Sequence, residues 1–195
     1  MPYAPGIAAP ALDRSRRVLS GGGRVSEAAL VRAARRGSEQ AVAELFARHW
    51  SAAYRAALLV TGDRAAAEDI AQEAFLAALR ALPSFDLRRP LRPWLHRIVV
   101  NRAIDWSRAR ALRNEVPAGT AADPSAPAAP APLDDAIAVA LETLGPEQRA
   151  VIVLRYLLEF TPGEIARILD LPRGTVNSRL RRGLDTLGAL IGEDR

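Results

Sequence analysis

The chain has 195 residues, a formal net charge of +5, 49% hydrophobic residues and no cysteine. A disulfide framework and a thiolate metal site are therefore excluded, and with His49 and His96 the only histidines no zinc site is expected. The clean apolar runs, such as AALLV at 56–60, fall far short of the roughly 18 residues a membrane span needs. Prolines at 2, 5 and 10 interrupt the place a signal-peptide core would occupy, so a soluble cytoplasmic protein without membrane insertion is expected.

Every one of the 27 basic residues is arginine, and their distribution says more than their number. Residues 1–36 carry 7 arginines against 2 acids and residues 37–113 carry 12 against 8, whereas residues 133–195 carry 8 against 10. Within that acidic C-terminal part, residues 172–182 hold four arginines and no acid. A local basic stripe on an acidic background suggests a placed phosphate contact.

In chain order, residues 1–25, with their prolines and a triple glycine, read as a disordered basic arm. Helix-period apolar stripes follow at Ala29, Leu30 and Ala33, at Val42, Leu45 and Phe46, and at Tyr54, Leu58 and Leu59. The next helix is expected over 64–82. At 100° per residue Ile70, Ala71, Ala74, Phe75, Ala78 and Leu79 share one side, and Asp69, Gln72, Glu73, Leu76 and Arg80 the other. By residue type alone the second face is either a solvated acidic surface or a docking surface. A catalytic carboxylate pair is disfavoured because no nucleophile or metal partner accompanies it.

A helix over 94–110 follows a Pro- and Arg-rich turn, with Pro93 expected at its first position. Trp94, Ile98, Asn101, Asp105 and Arg108 fall within about an 80° arc. A ring, an amide and arginines along one stripe suit unstacked bases, which need a stacking surface, edge partners and cations. The competing reading makes Trp94 and Trp106 core anchors and pairs Asp105 with Arg108 on the surface. Arg88, Arg89, Arg92, Arg97 and Arg102 favour nucleic acid.

Residues 115–132, five of them proline, form a low-complexity Pro/Ala-rich linker that cannot pack a core. Beyond it, Thr161, Pro162 and Glu164 make an N-cap, N1 and N3 set that starts a short helix, which Pro172 is expected to end. A second helix then puts Val176, Leu180, Leu184, Leu187 and Ile191 inward and Asn177, Ser178, Arg181 and Arg182 outward. A tight helix pair with a polar, basic outer face matches major-groove reading, where arginine forks onto guanine and asparagine onto adenine. The fold expected is all-α, with two small helical domains at 26–114 and 133–192 and about four helices in each.

The motifs DIAQEAF at 69–75, LPSFD at 82–86 and WLHRIVVNRAIDWSR at 94–108, followed by LGPEQRAVIVLRYLLEFTPGEIARIL and LPRGTVNSRLRRG at 144–169 and 171–183, resemble an extracytoplasmic-function sigma factor. This is the small two-domain class of bacterial RNA polymerase sigma subunits, with a region 2 bundle and a region 4 helix-turn-helix. The resemblance implies that Asp69, Gln72, Glu73 and Leu76 dock on the polymerase β′ clamp. It implies that Arg88, Arg89, Arg92, Trp94, Arg97, Asn101 and Arg102 hold the non-template strand of the minus-10 element, with a base flipped near Asn101. It also implies that Asn177, Ser178, Arg181 and Arg182 read the minus-35 element, with Thr175 and Arg179 on phosphates.

Leu144, Val151, Leu154 and Leu157 would serve both the core of the second domain and a contact with the β flap. Promoter DNA, core polymerase and an anti-sigma factor are the partner classes implied; no catalytic residue, metal or cofactor is. Family members often carry Lys or Arg where this chain has Asn177, which leaves the minus-35 sequence open. The alternative function is a free-standing helix-turn-helix regulator that binds duplex DNA as a dimer, for which the 94–108 stripe would have no purpose.

Overall fold

Short polar residues start the helices of the first half. In the computed structural model, which describes residues 25–113 and 135–193, Ser26 and Ser38 each accept a 3.3 Å hydrogen bond from the backbone N–H three residues on, opening α1 (Glu27–Arg35) and α2 (Glu39–Thr61). Gly62, at φ 69°, closes α2 in the left-handed conformation that glycine adopts without strain, and Asp63 immediately caps α3 (Arg64–Ala81) through the Ala66 N–H at 3.0 Å. So short a connection makes α2 and α3 antiparallel neighbours. A 3-10 turn, Leu82–Ser84, leads towards α4 (Leu91–Leu112).

The N-terminus of α4 is capped from a distance. Its own N-cap residue, Pro90, has no side chain to offer, and Glu27 of α1 accepts the Leu91 N–H at 3.1 Å instead. A carboxylate is well placed there because the first-turn N–H groups lack helical partners and the helix dipole is positive. Pro93 therefore sits at the third position of α4 rather than the first. That is tolerated because an N–H in the first turn has no carbonyl to meet.

The second half comprises α5 (Asp135–Glu142), α6 (Pro146–Ile152), a π-helical turn (Val153–Leu157), α7 (Pro162–Leu169) and α8 (Arg173–Glu193). The capping box expected at the start of α7 is present. Thr161 Oγ1 accepts the Glu164 N–H at 3.3 Å while Glu164 accepts the Thr161 N–H at 2.8 Å. The end of α7 differs from expectation: Asp170, at φ 55°, terminates it before Pro172 is reached.

No strand occurs among the described residues, and the all-α expectation holds, with four α-helices on each side of the linker. The proposed arm at 1–25 lies outside the described residues apart from Val25, and the linker at 115–132 lies wholly outside them.

Two apolar clusters hold these helices. The smaller joins Leu30, Val31, Ala41, Leu45, Leu82, Phe85 and Leu91, seating α1 on α2 and the turn before α4. The larger is continuous from α2, α3 and α4 into α6, α7 and α8. Fully buried alanines, among them Ala53, Ala56, Ala57, Ala67, Ala74 and Ala103, let the helices of the first half approach closely. Leu154, Ile165, Ile168 and Val176 fill the second half.

Units of under 90 residues bury too little surface to be more than marginally stable alone. Here the two halves share a core. In α8, Val176 and Leu180 are buried as expected, but Leu184 is 43% exposed. The inward position is taken by Gly183, where an added Cβ would lie 2.9 Å from Ile152 Cγ1, so α8 crosses α6 at a point too close for a side chain.

Candidate polymerase and promoter interface

α3 presents Asp69, Gln72, Glu73 and Leu76 to solvent together, while Ile70, Ala71, Ala74 and Phe75 are buried. Leu76 is 52% exposed, a poor position for a leucine unless something covers it. Sequence reasoning missed its neighbours on α2. Phe46, expected in an apolar stripe, is 41% exposed and stacks on Trp50 at 4.7 Å, with Phe75 at 4.9 Å and Tyr54 next in line 6.3 Å from Trp50. The spacing 46, 50, 54 was the available signal: one residue per turn along one edge of α2. The result is an apolar, partly aromatic edge beside an acidic one.

The α4 stripe is less free than the wheel suggested. Arg88 and Arg89 are exposed in the turn before it. Trp94 is half-buried and packs on Phe85 at 4.7 Å while contacting both clusters, so it is a core anchor with one open edge. Asn101 is half-buried, and Arg102 lies 3.8 Å from Glu73 of α3, bridging the two faces. Asp105 and Arg108 pair at 3.6 Å.

Arg92, Arg97 and Arg108 also reach the second half. Arg92 donates to the Leu158 carbonyl at 2.7 Å and lies over the Phe160 ring at 4.6 Å. Arg97 reaches the Arg167 carbonyl and the Asp170 carboxylate, each at 3.4 Å, and Arg108 donates to Glu147 at 2.7 Å. Beneath them His96 is fully buried: its Nδ1–H donates to the Arg92 carbonyl at 2.8 Å and its ring meets Phe160 edge-on at 5.2 Å. Burial lowers its pKa to about 4, so it is neutral at pH 7. Between α4 and α7 a cleft of about 390 Å³ remains, walled by Trp94, Arg89, Arg97, Glu164, Arg167 and Asp170.

α8 shows the opposite pattern. Asn177, Ser178, Arg181 and Arg182 are exposed along one side, with Thr175 and Arg179 half-buried at its border. The Arg181 side chain is 86% exposed and its nearest carboxylate, Asp185, is 4.0 Å away. Among the described residues, Ser178 and Arg182 bond to their own helix, at the Thr175 and Ser178 carbonyls. Leu144, Val151 and Leu154 are buried in the core shared by the two halves, and Leu157 is half-buried.

Family comparison places these two halves. The Sigma-70 region 2 model matches residues 45–113 and the Sigma-70 region 4 model matches residues 134–187. The chain belongs to the extracytoplasmic-function RNA polymerase sigma factors. It is 34% identical over 173 residues to the ECF sigma factor SigW of Bacillus subtilis, covering 80% of this chain and 92% of that protein. It is 35% identical over 178 residues to SigL of Mycobacterium tuberculosis, covering 88% and 94%.

Among solved structures, CnrH in complex with the cytosolic domain of CnrY superimposes with a TM-score of 0.66 at 30% identity, over 87% of this chain and 99% of that one. A sigma factor is a transcription initiation factor and not an enzyme. Both regions in order, and structural neighbours that are sigma factors, set aside the free-standing regulator. No described helix of this sigma factor is long and apolar enough to cross a membrane.

Proposed function

We propose that this sigma factor meets core RNA polymerase and its promoter through three separate faces. Asp69, Gln72, Glu73 and Leu76 dock on the β′ clamp, with Phe46 and Trp50 extending the contact. Arg88, Arg89, Arg92, Trp94, Arg97, Asn101 and Arg102 hold the non-template strand of the minus-10 element. Thr175, Asn177, Ser178, Arg179, Arg181 and Arg182 bind the minus-35 duplex, the asparagine and arginines at base edges and the border residues at phosphates.

The observation that carries this reading is the second helix of the helix-turn-helix, which buries Val176 and Leu180 and leaves Asn177, Ser178, Arg181 and Arg182 side by side in solvent. Action on polymerase and promoter supports a cytoplasmic location. The CnrH structure holds the cytosolic domain of CnrY, and an anti-sigma factor is the third partner proposed, after core polymerase and promoter DNA.

The test is a pull-down with purified core polymerase followed by run-off transcription from the gene's own upstream region. A specific transcript is expected. Asn177→Ala or Arg181→Ala should remove minus-35 preference while polymerase binding persists; an equal loss of polymerase binding overturns the assignment of α8.

A further inference from the structure

The loop between α3 and α4 is tied at both ends to α1. Arg35, in the last turn of α1, donates from Nε to the Leu82 carbonyl at 2.8 Å and from a terminal nitrogen to the Phe85 carbonyl. At the other end of α1, one Glu27 oxygen accepts the Leu91 N–H at 3.1 Å, and His49 Nε2 of α2 lies 2.9 Å from the other oxygen. Between these ties Leu30 and Val31 of α1 share a buried cluster with Leu82, Phe85 and Leu91.

Inside them the loop makes its own turn. The Asp86 carboxylate accepts the Arg88 N–H and the Asp86 carbonyl accepts the Arg89 N–H, each at 3.0 Å, folding the backbone as an Asx turn does. Arg88 and Arg89 are left exposed. A groove of about 380 Å³ separates α1 from the loop, with Ala28 and Val31 on one wall and Leu87, Arg88 and Pro90 on the other.

These ties exceed what a connection needs. A surface loop can leave its carbonyls to water, whereas here one guanidinium fork holds two of them and a carboxylate supplies the cap that Pro90 lacks. Glu27 and Arg35 are eight residues, or about 12 Å, apart along one rigid helix. With its ends fixed on that helix, the segment from Phe85 to Leu91 has few shapes open to it. Ordering exposed arginines before a strand arrives lowers the entropic cost of binding and fixes where they point. Base discrimination needs that direction; attraction to phosphate needs only charge.

We infer that α1 is a splint for the minus-10 loop, with Glu27 and Arg35 as positioning residues that set base preference without touching DNA. α1 lies ahead of the residues 45–113 matched to region 2, and neither positioning residue is among those assigned to polymerase or promoter. The inference rests on the minus-10 role proposed above for Arg88 and Arg89.

The test uses holoenzyme assembled with core polymerase. A short fluorescent non-template strand from the minus-10 segment upstream of the run-off start is compared with a scrambled strand of the same composition. Arg35→Met keeps the stem and removes the fork, Glu27→Leu removes the acceptor, and Glu27→Gln keeps an oxygen for the Leu91 N–H. Arg35→Met and Glu27→Leu should each cut the preference for the native strand about fivefold, with scrambled-strand affinity within about twofold of wild type, because phosphate attraction is sequence-independent. Glu27→Gln should retain most of the preference. In the free chain, hydrogen exchange at the Arg88, Arg89 and Leu91 amides should quicken about tenfold in Arg35→Met and Glu27→Leu, because local opening governs it. Competition for core polymerase should be unchanged, and a cooperative urea transition shows that each variant is folded.

Equal loss of affinity for native and scrambled strands assigns both residues to stability alone and overturns the splint. Faster loop exchange with undiminished preference overturns it too, as does unchanged exchange in Arg35→Met. Glu27→Gln falling as far as Glu27→Leu overturns the cap as the working contact. A wild-type holoenzyme that makes a transcript but shows no preference between the strands overturns the minus-10 reading, and the splint with it. A wild type that prefers the native strand upholds that reading whichever way the variants fall.

Discussion

Arg149 in α6 donates a hydrogen bond to the carbonyl of Val60 in α2 across 3.1 Å, and with its other terminal nitrogen holds the Glu142 and Leu144 carbonyls at 3.0 and 3.3 Å. Val60 lies in the last turn of α2, where carbonyls lack helical partners, so this guanidinium satisfies a helix end in the other half of the molecule. Burial lowers its pKa, although Glu142 opposes that shift. Arg149→Met should preserve most of the stem packing and leave these carbonyls unsatisfied, at a cost of about 2–3 kcal/mol. Urea unfolding measures the loss; a change under about 0.5 kcal/mol would show that water replaces the arginine without penalty.

The shared core predicts cooperativity. Because Leu154, Ile165 and Ile168 lie in one cluster with Val60, Leu95 and Val99, the two halves should melt in a single transition. Tryptophan fluorescence reports the first half, since Trp50, Trp94 and Trp106 all lie there, and far-ultraviolet dichroism reports both. Coincident curves are expected; two separated transitions would mean that the interdomain packing adds little.

His96 makes stability depend on pH. Its folded pKa is lowered from 6.5 to about 4, mainly by burial, with Arg92 and His49 repelling a charge on it and hydrogen bonds to the backbone opposing the shift. The unfolded chain takes up the proton first as pH falls, so full stability is present above about 6.5 and is lost progressively down to about 4. The loss at pH 5.5 should be on the order of 1 kcal/mol. His96→Gln should flatten this dependence between pH 7 and 5 in urea titrations, and a slope identical to wild type would assign the effect to other groups.

Two glycines in α8 should respond in opposite directions. At Gly183 an added Cβ would lie 2.9 Å from Ile152 Cγ1, whereas at Gly188 nothing lies within 4 Å. Gly183→Ala should destabilise by about 1–3 kcal/mol through overpacking against α6. Gly188→Ala should stabilise by about 0.5–1 kcal/mol by removing unfolded-chain entropy. Thermal unfolding of the two variants checks the pair, and matching shifts would show that α8 does not cross α6 at Gly183.

Among the described residues Leu76 is 52% exposed, on the face of α3 proposed to dock on polymerase. Leu76→Asp should weaken competition for core polymerase by tenfold or more, by placing an unpaired charge in a desolvated contact. The melting temperature should stay within about 2 °C, as for other surface changes. Retained competition would move the polymerase contact off α3.

Much of this molecule was legible in its sequence because the signals are local. The period of Ile70, Ala74 and Ala78 fixes which face of α3 is buried. The capping box at Thr161 and Glu164 fixes the start of α7, and the alternation of Val176 and Leu180 with Asn177 and Arg181 fixes the two sides of α8. Each follows from backbone geometry within a few turns. The signals that misled were also local: Pro172 and Pro93 mark where a helix is permitted to end or begin, but Asp170 and the distant Glu27 decide where it does.

Only the tertiary structure decided how the halves use each other. The carbonyl bound by Arg149, the carboxylates that occupy Arg97 and Arg108, and the ring over His96 are 39 to 89 residues away in sequence. No periodicity encodes such pairings. They arise when helices that each bury a local stripe settle into a common core and bring unrelated surface arginines within reach of whichever oxygens the other half presents.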